Sequence, residues 1–329
     1  MAVVLSEADV KALLPMGDLI DAMEVALAKF SAGEVLQPVR TVLQVGPSKA
    51  FFGVMPAYQP APAALGAKLV TVFGGNVALG LPTHLATIVL LDPETGALAA
   101  LLDGRYITEA RTAAVSAVSA RHMARAETRD GTTLAVLGSG VQARSHLEAL
   151  ALVRRLSDVR VWSPTVANRE RFAREMAPHA STPIRVAQSA RHAVDGADVI
   201  VLATASPVPV VERGWVADGA HVCAVGACRP DMREMDGALV ASARLVVDSR
   251  AGALAEAGDI VLAMKEGRFG ADHIAGELGD VVAGRLSGRT SPREITIFKS
   301  LGMAVEDVAA AELAWRRAAE QGLGRAIIL

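Results

Sequence analysis

Cysteine is nearly absent: the 329 residues contain two, Cys223 and Cys228. They lie close together on an expected strand and its exit, which excludes a disulfide framework and a metal-ligand set, so the expectation is no metal and a reducing, cytoplasmic home. A surplus of basic charge is absent too. Charged residues make up 21% of the chain and the formal net charge is -2, which leaves no excess of cations for a phosphate backbone and excludes nucleic acid as an expected partner. Internal repeats and low-complexity tracts are lacking. The opening residues, MAVVLSEADVKALL, bring Glu7, Asp9 and Lys11 almost at once, without the basic start and long apolar stretch of a secretory signal. A charge-free stretch, Leu69 to Leu91, is long enough to span a bilayer. Inside it GGN at 74–76 and GLP at 80–82 would break a helix, and valine and threonine predominate. It predicts two buried strands with a loop between them, and no membrane partner.

What is present is apolar and orderly. Apolar residues make up 52% of the chain, and its length allows about two domains. SEADVKALLP and MGDLIDAMEVALAKFSAG predict two helices, with Ser6 as N-cap, Pro15 between them and Gly33 just past the second. The period then changes. VRTVLQVG, AFFGVMPA, LGAKLVTVF, HLATIVLLD and ALAALLD are short β-rich runs, with DPETG at 92–96 as a hairpin loop, and together they predict an antiparallel sheet. An alanine-rich helix is expected from Arg105 to about Ala126. Beyond it strands (TLAVL, VRVW, IRVA, DVIVLAT, HVCAVGA, RLVVDS) alternate with helices, the pattern of a parallel sheet covered on both faces. The final stretch, SLGMAVEDVAAAELAWRRAAEQG, predicts one amphipathic helix folding back on the first domain.

GSGVQA at 138–143 has the form G-x-G-x-x-A and stands between an apolar strand and a helix, the context a dinucleotide-binding turn requires. Gly138 permits the tight turn, Gly140 lets backbone approach a pyrophosphate, Ala143 allows close packing, and the helix start at Val141 and Gln142 offers N–H groups to phosphate. NAD-preferring folds carry an acidic residue at the end of the second strand. Here that strand ends VRVWSPT, so a 2′-phosphate would meet Ser163, Thr165 and Arg169 rather than a carboxylate. The expectation is NADPH or NADH, with NADPH favoured.

Three cations in the front part sit among apolar neighbours: Arg40 in VRTVLQV, Lys68 in LGAKLVTVF and Arg111 in the alanine-rich helix. With no nearby acid expected to pair with them, a shared anion is the expectation, and a small carboxylate fits two guanidinium groups and an ammonium. LPTHLAT places Thr83 and His84 just before a strand. Thr83 has the chemistry to hydrogen-bond substrate or nicotinamide, and His84 that to handle a proton.

Taken together, PVRT, GAKLV, GLPTH, LDPETG, EARTAAVSA, GSGVQA, AVGA-RPD and FKSLGMAVEDV resemble the ornithine cyclodeaminase/μ-crystallin family from one end of the chain to the other. The resemblance implies a homodimer with an α/β fold. Residues 1–115 with 303–329 would form an α+β substrate-binding and dimerisation domain, and 116–302 a Rossmann-type doubly wound parallel sheet. By the same resemblance Arg40, Lys68 and Arg111 would grip the substrate carboxylate, with Thr83, Glu256 and Leu301 beside it. Thr83, Arg111, Thr112, the turn Gly138, Ser139, Gly140, Val141 and Gln142, then Ser163, Thr165, Asn168, Arg169, Thr204, Val225, Gly226 and Ser300 would touch the cofactor.

Cyclodeaminases of this family carry an aspartate after the strand in a G-G-D or G-A-D motif, where this chain reads AVGACRPDMREMD with Cys228. A neutral thiol cannot hold a substrate ammonium as a carboxylate does. The form resembles the μ-crystallin branch, whose enzymatic members reduce cyclic ketimines. The expected reaction is therefore reduction of Δ1-pyrroline-2-carboxylate or Δ1-piperideine-2-carboxylate to L-proline or L-pipecolate by NADPH or NADH. Lys68, Arg111, His84 and Cys228 are the candidate catalytic residues, and His84, Glu256 or water the candidate proton source. The alternatives are ornithine cyclodeamination, another amino-acid dehydrogenation, and a binding protein for a small carboxylate ligand.

Overall fold

A computed structural model describes residues 2–46 and 50–328. The chain runs β1 (Ala2–Leu5), α1 (Glu7–Leu13), α2 (Met16–Ser31), β2 (Thr41–Val45), β3 (Ala50–Pro60), β4 (Ala63–Val72), β5 (His84–Leu91), β6 (Leu98–Asp103) and α3 (Arg105–Met123). It continues through β7 (Thr132–Leu137), α4 (Val141–Val153), β8 (Leu156–Trp162), α5 (Val166–Met176), β9 (Ile184–Val186), α6 (Ala190–Val194), β10 (Val199–Leu202) and β11 (His221–Ala224). Then come α7 (Gly237–Ser242), β12 (Arg244–Val247), α8 (Arg250–Glu256), α9 (Gly258–Lys265), β13 (Ile274–Glu277), α10 (Leu278–Val282), β14 (Thr296–Lys299), α11 (Ala304–Gln321) and β15 (Arg325–Ile327). Two compact units result: Met1–Arg111 with Met303–Leu329, and Thr112–Gly302.

Local chemistry sets the element ends in the first unit. Ser6 Oγ accepts from the Asp9 N–H while Asp9 Oδ2 accepts from the Ser6 N–H, a capping box that starts α1. Asp92 Oδ1 accepts from Glu94 N, Thr95 N and Thr95 Oγ1 at 2.8–2.9 Å, and Gly96 takes φ +72°, which closes the turn from β5 to β6. The charge-free stretch folds as two strands, β4 and β5, joined by a 3-10 turn at Gly74–Leu79. No helix among the described residues is long and apolar enough to cross a membrane.

The first unit's sheet has seven strands in the order β15-β1-β6-β5-β4-β3-β2. The hairpins from β2 to β6 are antiparallel. Two short strands of this sheet lie outside the sequence expectation, as do β13 and β14 of the second unit. β1 runs parallel to β6, and β15 pairs antiparallel with β1. Pairing across the chain, rather than a local period, defines β1 and β15. Helix α11 packs on α2, β3 and β4. It is not amphipathic along its whole length: every residue from Ala304 to Ala314 is buried.

In the second unit the order is β13-β12-β14-β11-β10-β7-β8-β9, and every pair is parallel. Successive residues of β7 serve opposite faces: Ala135 and Leu137 pack with β10, β11 and α7, and Leu134 and Val136 with α4 and α5. Helices thus cover both sides of a sheet whose central strands β10, β11 and β14 are wholly buried. The strand order reverses on either side of β7, and the carboxyl ends beside such a switch point are where open α/β sheets hold ligands.

Candidate active site

Strand β4 alternates, and its inward face carries Ala64, Gly66, Lys68 and Val70. A lysine is thereby placed under α11 with only 2% of its surface exposed. Its Nζ lies 2.6 Å from Asp307 Oδ2. Arg111, 4% exposed on α3, donates from Nε to Asp307 Oδ1 at 3.0 Å and from Nη1 to Glu306 Oε2 at 2.9 Å. Glu306 and Asp307 are both fully buried, so two buried cations meet two buried acids of opposite charge.

The expectation that no nearby acid pairs with these cations fails for Lys68 and Arg111. Both acids arrive from α11, 195 and 196 residues along the chain from Arg111 and further still from Lys68. The physical reason is that a buried cation has to be compensated, and a lone Lys or Arg at this depth would cost several kcal/mol. Burial pushes Lys68 down to about 8; Asp307 opposes that shift and the neighbouring Arg111 adds to it. Asp307 stays below the usual carboxylate range because Lys68 and Arg111 outweigh its own burial. His84, the first residue of β5, is pushed down to about 4 by burial and then by the Lys68 and Arg111 charges. It is therefore a neutral imidazole at pH 7. Thr83 is exposed and Arg40 half-buried just ahead of β2.

The glycine turn of the second unit follows β7. Gly138 adopts φ +121°, and a Cβ there would lie 2.4 Å from the Ala203 carbonyl oxygen, so only glycine fits. At Gly140, by contrast, a Cβ would meet nothing within 4 Å, and the first N–H groups of α4 have no side-chain cap. Ala143 is fully buried. An open N-terminus of a 13-residue helix beneath a switch point fits a dinucleotide pyrophosphate. Past β8, Ser139 donates to Ser163 Oγ at 3.1 Å, the Asn168 amide oxygen accepts from Arg171, and Arg169 Nη1 donates to the Ala187 carbonyl at 2.8 Å. Thr165 caps α5 by position without a side-chain bond.

Other expected site residues of this unit belong to a buried polar framework. Thr204 is tied to Glu234, and Val225 and Gly226 follow β11 directly. Ser300 Oγ, Leu301 N and Gly302 N all donate to Asp248 Oδ2 at 2.6–3.2 Å. Cys228 Sγ lies 3.1 Å from the Val225 carbonyl, and neither cysteine is in a disulfide. Thr112 is buried on α3, and Glu256 ends α8. The structure thus brings Lys68, Arg111 and His84 together in the first unit. It places Glu256, Leu301 and Cys228 in the second.

A sequence profile of the ornithine cyclodeaminase/mu-crystallin family matches residues 1–322. The chain belongs to that family. It is 44% identical to the ketimine reductase mu-crystallin of Mus musculus over 300 residues, covering 90% of this chain and 91% of the mouse protein. It is also similar to the Δ1-pyrroline-2-carboxylate reductase of Thermococcus litoralis, solved with NADH and L-proline. There the TM-score is 0.95 and the identity 39%, over 99% of this chain and 100% of that one. An archaeal alanine dehydrogenase dimer with bound NAD superimposes with a TM-score of 0.93 at 32% identity, over 100% and 99% of the two chains. The doubly wound sheet expected from the motifs, and membership of the ornithine cyclodeaminase/mu-crystallin family, both hold.

Sequence reasoning missed the acids. Glu306 and Asp307 lie in AVEDVAAAELA, Lys299 in ITIFKS and Asp259 in AGDIVLA, each a charge among apolar neighbours. That criterion singled out Arg40, Lys68 and Arg111, and applied to both signs of charge it would have found these four as well.

Proposed function

We propose that the protein reduces a cyclic ketimine, Δ1-pyrroline-2-carboxylate or Δ1-piperideine-2-carboxylate, to L-proline or L-pipecolate with a nicotinamide dinucleotide. The observation that carries this reading is full-length likeness to a reductase holding NADH and L-proline. Cys228 at the cyclodeaminase aspartate position supports reduction over deamination.

Carboxylate recognition falls to the N–H groups of Lys68, Arg111 and Arg40 and to the Thr83 hydroxyl. Because Glu306 and Asp307 already balance the two buried cations, selectivity rests on directed donors rather than on a positive field. Reduction adds a hydride to the imine carbon and a proton to the nitrogen. The dinucleotide supplies the hydride when bound, and the glycine turn, Ser163, Thr165, Asn168, Thr204, Val225, Gly226 and Ser300 hold it. Lys68 Nζ holds the proton for the nitrogen. Asp307 keeps it an ammonium at pH 7, and burial eases its conversion to the neutral amine. His84, neutral at that pH, orients by hydrogen bonding and is not the acid.

In this reading the unit Met1–Arg111 with Met303–Leu329 binds substrate and the unit Thr112–Gly302 binds the dinucleotide. NADPH is favoured over NADH, because β8 ends at Ser163 and Thr165 with no carboxylate to repel a 2′-phosphate. The working form is a homodimer. Edge strand β2 exposes Val42, Leu43 and Val45, flanked by exposed Leu36 and Val39, a patch that a second copy would cover. A cytoplasmic location belongs to the same reading.

The test is an initial-rate panel of both cyclic ketimines, ornithine, and pyruvate with ammonia or methylamine, each with both nicotinamides. Oxidation of the reduced cofactor with at least one cyclic ketimine is expected. No turnover of either ring rejects the reaction, and ammonia release from ornithine without net NADH would replace it with cyclodeamination.

A further inference from the structure

Glu234 precedes α7 and has no exposed surface. Its carboxylate is surrounded by donors from two different loops. Oε1 accepts from the Thr204 N–H at 2.6 Å and from Thr204 Oγ1 at 2.8 Å, in the loop after β10. Oε2 accepts from the Gly226 N–H at 2.7 Å and the Ala227 N–H at 3.2 Å, in the loop after β11. The loops are held so close that a Cβ on Gly226 would lie 2.0 Å from the Thr204 carbonyl oxygen and 2.5 Å from Glu234 Oε1. Behind Glu234 stands a second layer. Asp259 Oδ1 accepts from the Glu234 and Met235 N–H groups at 2.7 and 3.0 Å, and Asp259 Oδ2 pairs with buried Lys299 at 3.0 Å.

In a sheet of this order the pyrophosphate lies at the turn after β7 and the adenosine half extends toward β8, so the nicotinamide half extends toward β10 and β11. The two loops that share one carboxylate are therefore those on the nicotinamide side. We propose that Glu234 is a positioning residue for the nicotinamide end of the dinucleotide, fixing the loops at Thr204 and at Gly226–Ala227 as one rigid edge. The proposal rests on the dinucleotide reading above but not on the identity of the imine. Chemistry requires a carboxylate here. All four neighbours donate to it, and a glutamine would turn its NH2 toward either the Thr204 N–H or the Gly226 and Ala227 N–H groups, loosening that loop. Burial pushes the Glu234 carboxyl up to about 7, with Lys299 opposing the rise and Asp259 adding to it, so the clamp has little to spare.

The experiment compares binding of two ligands to the full chain by calorimetry: the reduced dinucleotide that the wild type binds tighter, and the matching ADP-ribose, which lacks the nicotinamide. Glu234→Gln should weaken the dinucleotide at least tenfold while leaving ADP-ribose within twofold, a split that general destabilisation does not produce. Glu234→Asp is the second variant. It keeps the charge on a stem too short to reach both loops, and should show the same split if the glutamine variant fails to fold. Equal weakening of both ligands, or unchanged dinucleotide affinity, overturns the proposal. Dinucleotide binding by a wild type that reduces no ketimine would sink the proposed reaction and leave this inference standing. No dinucleotide binding by the wild type would sink both.

Discussion

Asp307→Asn removes the charge that holds Lys68 and Arg111, and the structure bounds the cost. Lys68 falls from 10.5 to about 8 on folding. At about 1.4 kcal/mol per pH unit, keeping it protonated at pH 7 costs the folded chain about 3 kcal/mol relative to the unfolded one. Without Asp307 its proton leaves. The penalty then reaches its ceiling, the cost of a neutral lysine at pH 7, about 5 kcal/mol on the same scale. The lysine thus adds only about 1 to 2 kcal/mol. Arg111 cannot deprotonate and loses a charge-assisted bond worth about 1.5–3 kcal/mol, part of which the asparagine oxygen retains. The sum is about 3 kcal/mol, at the lower end of what breaking a buried pair costs. The lysine share has a pH signature. The depressed pKa means that the folded chain binds fewer protons than the unfolded one between about 8 and 10.5, so wild-type stability rises with pH across that window. At pH 9.5 Lys68 is neutral with or without Asp307, and the penalty of the variant should shrink to about 2 kcal/mol. Urea denaturation of both proteins at pH 7 and 9.5 reads this directly. A loss below about 1 kcal/mol at pH 7, or one that does not change with pH, would refute the coupling of Lys68 to Asp307.

Substitutions in the glycine turn and at Arg111, and acidification, have their own expected outcomes. Gly140→Ala should leave the melting temperature unchanged or slightly raised, since a Cβ there meets nothing, yet weaken dinucleotide binding about tenfold by filling the pyrophosphate's approach. Gly138→Ala should do the reverse first, losing several kcal/mol of stability at φ +121° against the Ala203 carbonyl. Arg111→Ala should lower kcat/KM for the ketimine by about 2–5 kcal/mol of transition-state binding; an unchanged specificity constant would remove it from the site. His84, His146 and His221 titrate near 4, 4 and 3 rather than 6.5 because they are buried. The unfolded chain therefore takes up three protons that the folded chain refuses between pH 6.5 and 4.5. Glu234, raised to about 7, acts oppositely with one, so stability should fall on acidification by about 3 kcal/mol per pH unit. A flat response in urea melts at pH 6.5, 5.5 and 4.5 would contradict the burial of these rings.

Local chemistry was legible wherever a few adjacent residues decide it. The Ser6 cap, the Asp92 turn, the breaks at Gly74–Gly75 and Pro82, and the Gly138–Ala143 turn all follow from the conformations and hydrogen bonds available to those residues alone. The run LGAKLVTVF showed Lys68 among apolar neighbours before any contact was known, and the apolar strands from β7 onward announced a parallel sheet. Partners could not be read in this way. That Lys68 and Arg111 are neutralised by Asp307 and Glu306, that β1 and β15 are strands at all, and that Glu234 clamps two loops after different strands are decided by pairing across long stretches of chain. A charge in an apolar run shows from sequence that compensation must exist, because burying it alone is too costly. Which acid provides it depends on where the backbone returns, and only the folded chain determines that.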